Sequence, residues 1–221
     1  MTTETVTTNE ATAARISIAA AAVFLGLLVV LHFFKPEFDP SWRFVSEYSI
    51  GDFGWLMKAA FFSLALSCAF LFSAVRSHVD TMGGRIGLAL LLISAAALAA
   101  AGIFDSDPVT AKPDELTSEG SLHGLAGAIG IPGLPIAAAL ISRSLALHNP
   151  AWLSTGRYLR WAAHLTWISV AAMSIYILTA LPGAEGFGPG MWNGWLNRLV
   201  VLAYCVWLIT AAWSVIRIRG V

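Results

Sequence analysis

Six apolar stretches, each long enough to cross a bilayer, leave this chain little freedom of architecture. An α-helix rises about 1.5 Å per residue, so about 20 residues cross a hydrocarbon core of roughly 30 Å. The stretches cover about residues 16–34, 54–75, 86–104, 122–142, 159–181 and 195–216. Charge, proline or glycine closes each one, at Lys35-Pro36, Arg76, Asp105 to Pro108, Arg143, Pro182-Gly183 and Arg217. Only 12% of the 221 residues are charged, about half the share found in soluble domains. In lipid every backbone N–H and C=O needs an internal partner, which makes these runs helices. The expected fold is all-α, a polytopic bundle of six transmembrane helices in one domain over residues 16–221. Residues 1–15, rich in Thr, Glu and Ala and without periodic pattern, read as a disordered tail. No cleavage signal follows the first apolar run, so it is expected to remain as a span. Asp52 is the expected N-cap of the second span.

With an even number of spans both termini share one side. That side carries Arg15, Arg76, Arg85, Arg143, Arg157, Arg160, Arg217 and Arg219 against three acids, Glu4, Glu10 and Asp80. The opposite side holds Lys35, Arg43, Lys58, Lys112 and Arg198 against the other ten acids. The positive-inside rule then places both termini in the cytoplasm of a cell whose plasma (inner) membrane the chain crosses. Trp42, Trp55, Trp192 and Trp195 mark outer span edges and Trp152, Trp161 and Trp213 inner ones, while Trp167 and Trp207 lie deeper, as packing residues would. Membrane lipids are the expected partners, and the basic inner rim favours anionic head groups. No basic block supports nucleic-acid binding.

The polar chemistry gathers at the outer ends of the spans. Arg198 lies about one turn inside span six, where a cation is costly unless it faces the bundle interior or reaches back to the head groups. Asn197 stands beside it. His123 opens span four, and Asp105 and Asp107 close span three on the same side. Asp-x-Asp-Pro is also good turn chemistry. Glu47, in Val45-Ser46-Glu47-Tyr48, sits among aromatic residues in a loop that reads as an ordered cap, which argues for burial. Glu47, Asp105, Asp107, His123 and Arg198 are therefore the candidate ligand-binding residues, with Glu47, Asp105 and His123 the candidates for any catalysis. Such a set suits an anionic head group held by Arg198 and His123, a divalent metal on the acids and imidazole, or proton movement along them.

No cofactor is predicted. There is no His-x-x-x-His or His-Glu-x-x-His spacing to favour a metal. A two-imidazole haem site from His32 and His123 would lack matched histidines in other spans. Cys68 and Cys205, both inside apolar runs, read as core residues rather than a disulfide. Span four is unusual: Gly124, Gly127, Gly130 and Gly133 recur every third residue, and Pro132 and Pro135 fall near mid-membrane. The run reads as a kinked packing helix or as a broken helix that exposes backbone to a substrate.

These motifs, in their order, resemble a prokaryotic six-span integral membrane family, the domain of unknown function numbered nine-nine-eight. The carrying residues are Asp39-Pro40 and Ser46-Glu47-Tyr48 before span two, Gly102-Ile103-Phe104 with Asp107-Pro108 after span three, Leu122-His123, and Asn197-Arg198. The resemblance covers about residues 16–216 and implies a six-span architecture without an assigned reaction. The layout is also similar to the six-span Frag/DRAM/Sfk-type proteins of eukaryotes, some of which are linked to lipid remodelling. The leading functional expectation is binding or handling of a lipid or small amphiphile at an outer-leaflet polar site. The alternatives are a membrane-embedded lipid hydrolase or transferase, a small-molecule transporter, and a non-catalytic stabilising partner.

Overall fold

Each apolar run folds as one helix, and polar caps begin α1, α3 and α4 ahead of their apolar limits. The computed structural model describes residues 6–148, 152–183 and 186–219. Its six long helices are α1 (Thr8–Phe34), α2 (Gly54–Val75), α3 (Met82–Ile103), α4 (Ser118–His148), α5 (Gly156–Ala180) and α6 (Asn193–Arg219). All six are long and apolar enough to cross a membrane.

The tail expectation is corrected from Thr8 onward. Thr7 and Glu10 form a capping box, with Glu10 N donating to Thr7 Oγ1 at 3.2 Å and Thr7 N to Glu10 Oε2 at 2.7 Å. That reciprocal pair satisfies two orphan amides, so the helix starts two turns before the apolar run. Thr81 caps α3 in the simpler way, accepting from Gly84 N at 3.1 Å. Asp52 caps nothing. The residue before α2 is Phe53, in the left-handed region at φ 59° and without a side-chain cap. Gly54 then lies so close to Ser49 that a Cβ would fall 2.0 Å from its carbonyl oxygen.

Consecutive helices pack as neighbours, and α6 closes the ring against α1. The most buried members are α6 and α2, which also touch across the interior, while α5 is the least buried. Ser17 and Ser67 clasp α1 to α2, each hydroxyl donating to the other's carbonyl at 2.9 Å. Interhelical bonds of this kind contribute about 0.6 kcal/mol on average in lipid. Trp207 is wholly buried and donates to Ser142 Oγ at 3.0 Å. Trp167, read as a packing residue, is instead 44% exposed on the outside of α5, where the surroundings are lipid.

The glycine run of α4 divides between two tasks. Gly130 and Gly133 face α3, where a Cβ would stand 3.4 Å from Ala97 Cβ and 2.9 Å from Ser94 Oγ. Gly124 has nothing within 4 Å and Gly127 only the tip of Ile131. Both prolines sit inside an unbroken helix, so the broken-helix reading does not hold. Pro135 has no N–H for the carbonyl of Ile131, and the hydroxyl of Tyr204 on α6 donates to that oxygen instead.

Residues 35–53 form a strap across the end of the bundle opposite Thr8 and the close of α6, with a short 3-10 helix at Val45–Ser49. The strap meets the start of α6 through backbone. Gly194 N and Trp195 N both donate to Ser41 O, at 3.0 and 3.2 Å, which satisfies amides left over at the helix start. Asn193 Nδ2 donates to Trp42 O at 2.5 Å. A Cβ on Gly194 would lie 2.5 Å from Pro40 O and 2.7 Å from Arg43 O, both backbone atoms. Gly194→Ala is accordingly expected to lower stability by roughly 1–3 kcal/mol, the usual range for overpacking. A thermal melt of the purified variant reads this, and an unchanged midpoint would refute the close approach.

Candidate functional site

The guanidinium of Arg198 enters the bundle and finds polar partners on three elements. Nε donates to His32 Nε2 at 2.9 Å. Nη1 donates to Arg43 O at 2.8 Å and to Gly194 O at 3.0 Å. Nη2 donates to the Tyr48 hydroxyl at 2.8 Å. Four of the five guanidinium hydrogens are thereby used, which is how a cation survives one turn inside a span. His32 Nδ1 lies 2.6 Å from Leu28 O. That carbonyl only accepts, so Nδ1 carries the ring proton and Nε2 is free to accept from Arg198. His32 thus has both nitrogens engaged by protein and does not pair with His123. Burial pushes the Tyr48 phenol above the usual tyrosine range, against the opposing effect of Arg198, so it meets the guanidinium as a neutral acceptor.

Glu47 is 1% exposed, as its aromatic context predicts. Its Oε1 accepts from Arg43 Nη1 at 2.6 Å and from Val109 N at 2.9 Å, and its Oε2 from Phe44 N at 2.9 Å. One carboxylate therefore closes the 3-10 turn of the strap and ties it to the loop after α3. Arg43 in turn lies over Trp42, 4.3 Å from the ring centroid. Lys35 anchors the other end of the strap, its Nζ donating to Tyr48 O at 3.3 Å and also to Ile50 O. Burial lowers this ammonium below the usual lysine range, against the pull of Glu37 and Asp52.

The two aspartates act on helix ends. Asp107 accepts from Thr117 N and Thr117 Oγ1, both at 2.9 Å, and Thr117 Oγ1 accepts from Gly120 N to cap α4. A Cβ on Gly120 would fall 2.0 Å from Asp107 Oδ2, so only glycine admits the carboxylate there. Asp105 pairs with Lys58 of α2 at 3.0 Å, both side chains being about a third exposed or more. Among the described residues no three His, Cys, Asp or Glu side chains are grouped to hold a metal ion.

The expected residues therefore do not line one concavity. The cavity of about 450 Å³ between the strap and α1, α2, α3, α4 and α6 includes His123 in its wall but not Glu47, Asp105, Asp107 or Arg198. Its body is apolar, with Phe24, Phe61, Leu64, Leu134 and Val200 among the walls. Its polar groups are Ser46, Ser106, His123 and Asn197 at the end under the strap, and Tyr204 deeper, where the hydroxyl is already bonded. Among the described residues no Asp, Glu, Lys or Arg side chain lines it. Gly124, Ala128 and Pro132 line the cavity and are also exposed. They follow one another at four-residue spacing, so they form one lip of a mouth that runs along the membrane-facing side of α4. Pro132 additionally leaves the carbonyl of Ala128, on that lip, without its helical donor.

The sequence reading named Arg198 and His123 but not their separation. Missed were His32, Tyr48 and Lys35 as strap anchors, and Tyr204 as partner of the carbonyl freed by Pro135. That proline was the one available signal for Tyr204.

A family model described as protein of unknown function (DUF998) matches residues 18–214. No curated protein and no solved structure matches the chain.

Removing the guanidinium strands His32 Nε2, Tyr48 and the Arg43 carbonyl. With a buried unsatisfied group costing about 1–3 kcal/mol, Arg198→Ala is expected to destabilise the fold by at least about 2 kcal/mol. Arg198→Lys should recover only part, because one ammonium does not reach three directions at once. Melting points of the three proteins, with labelling of a cysteine introduced by Ser46→Cys to report strap opening, check this. Equal melts and equal labelling would show that Arg198 does not organise the strap.

Proposed function

The chain belongs to the family described as protein of unknown function (DUF998), its six helices make it a multi-pass membrane protein, and we propose that it binds a lipid or small amphiphile in the cavity between α4 and α6. The observation that carries the reading is the cavity's polarity: an apolar body with polar groups of spare hydrogen-bonding capacity at one end, open along a membrane-facing helix. Its volume of about 450 Å³ falls within the roughly 300–1,000 Å³ of ordinary ligand sites. Glycine at 124 and 127 supports the same reading, since each keeps space empty that any side chain would occupy. A small residue placed only for helix contact would have a neighbour to approach, as Gly130 and Gly133 do.

In this reading His123 meets the polar end of the ligand. Glu47 and Arg198 hold the strap that roofs the cavity through Phe44, Val45 and Ser46, and Asp105 and Asp107 fix the loop beside it. The arginine bias among the loops supports placing both termini in the cytoplasm, which puts the polar end of the cavity in the outer leaflet of the plasma membrane. A reporter enzyme active only in the cytoplasm, fused after Val221, is expected to be active, and its inactivity would invert this orientation.

Gly127→Leu fills the cavity while improving local helix propensity. Native mass spectrometry of protein released from mild detergent is expected to show an adduct of lipid mass on the wild type. The same spectrum of Gly127→Leu should show at least a several-fold loss of that adduct, with no lowering of the melting point. A wild type without any adduct, or a variant that retains it in full, would remove the basis of this function.

A further inference from the structure

The hydrogen-bonding inventory at the outer end of the cavity selects the head group. Resting on the reading of the cavity as an amphiphile site, we infer that its ligand carries an uncharged hydroxyl head, as a long-chain alcohol or an acylglycerol does, rather than a carboxylate or phosphate. Phe104 O lies 3.0 Å from His123 Nδ1 and can only accept, so in the neutral imidazole the proton sits on Nδ1. Nε2 is then a lone-pair acceptor, and it has no protein partner among the described residues. The ring is otherwise fixed, edge-on to Phe61 with centroids 5.7 Å apart.

Asn197 supplies the opposite polarity. Its Oδ1 accepts from Val45 N at 3.0 Å, which sets the orientation of the amide. The nitrogen then has only the sulfur of Met173, a weak acceptor at 4.0 Å, so one N–H remains to donate. Ser46 adds a hydroxyl with no partner among the described residues, and Ser106 Oγ, already donating to Asp107 O at 3.0 Å, keeps free lone pairs. An acceptor and donors thus share one end of an otherwise apolar space.

A hydroxyl matches this set because it donates to Nε2 and accepts from Asn197 or Ser46. A carboxylate or phosphate offers only acceptors and would face the Nε2 lone pair. It would also bring a charge to a wall without a cation, since Arg198 and Lys58 are bound elsewhere. An ester or ketone satisfies the donors and leaves Nε2 unpaired. An ammonium reverses the mismatch and repels the Asn197 N–H. Free alcohols and acylglycerols share the hydroxyl, and the mass of co-purified material separates the two.

The test uses four probes of one chain length: a primary alcohol, the corresponding alkane, the carboxylate and the alkyl phosphate. Each is titrated against the purified full-length protein in detergent and read by thermal shift. The alcohol is expected to bind at least about tenfold more tightly than either anion, which corresponds to about 1.4 kcal/mol, and several-fold more tightly than the alkane. His123→Asn leaves an amide where Nδ1 stood, able to reach Phe104 O, and nothing where Nε2 stood. This variant is expected to erase the advantage of the alcohol over the alkane without weakening the alkane. Should His123→Asn fail to fold, Asn197→Asp serves, because it retains the acceptor for Val45 N and removes the amide donor. Anions binding as well as the alcohol, or an alkane equal to it, would overturn the hydroxyl assignment and leave the amphiphile reading in place. If no probe shifts the wild type and Gly127→Leu behaves identically, the amphiphile reading falls with it.

Discussion

A guanidinium inside a membrane helix has to be solvated by protein, and that requirement organises the strap-covered half of this molecule. Arg198 takes its partners from α1, from the strap and from its own helix. None is a carboxylate. Neutral acceptors suffice because they surround the planar group on several sides, and two acids, Asp39 and Glu47, act on it through space. Meeting these contacts fixes His32 in one tautomer, brings Tyr48 into the core and orders the strap. Glu47 then extends the order to the loop after α3.

The cavity follows from that arrangement. The strap roofs the space between α4 and α6, so its end is covered, while the lip of Gly124, Ala128 and Pro132 faces the membrane. Deeper in the bundle the two helices are joined where Tyr204 reaches the carbonyl of Ile131 and Trp207 reaches Ser142. Charge and cavity are therefore adjacent but separate. The charged residues build the roof, and the polar side chains in the cavity wall are serine, asparagine, histidine and tyrosine.

Much of the fold is legible in the sequence because its governing energies are local. A run of about twenty apolar residues leaves no alternative to a helix in lipid, and Arg198 stands out because its cost is high wherever it lies in a span. Helix starts were less legible. Thr7 and Glu10 look like tail residues until the box they form is seen, and Asp52 looks like a cap although Phe53 and Gly54 take the turn. The site was legible in its members rather than its partition. Glu47, Asp105, Asp107, His123 and Arg198 all lie at one depth, but depth does not say which way a side chain points. His32 and Arg198 are 166 residues apart, and nothing along the chain links them. The glycines of α4 were visible as a run, yet only packing distinguishes the pair against α3 from the pair beside the cavity.

The contact between the strap and α6 has a consequence for the timing of assembly. Tyr48 leaves the ribosome 150 residues before Arg198, which at about 5–20 residues per second is roughly 8–30 s of synthesis. Throughout that interval the strap lacks the residue that orders it, and α1 lacks the helix that closes the ring against it. Spans two to five must be inserted beneath an unlocked cap. Closure therefore waits for α6, and a chain interrupted before that helix would leave Tyr48 and His32 without the guanidinium that joins them.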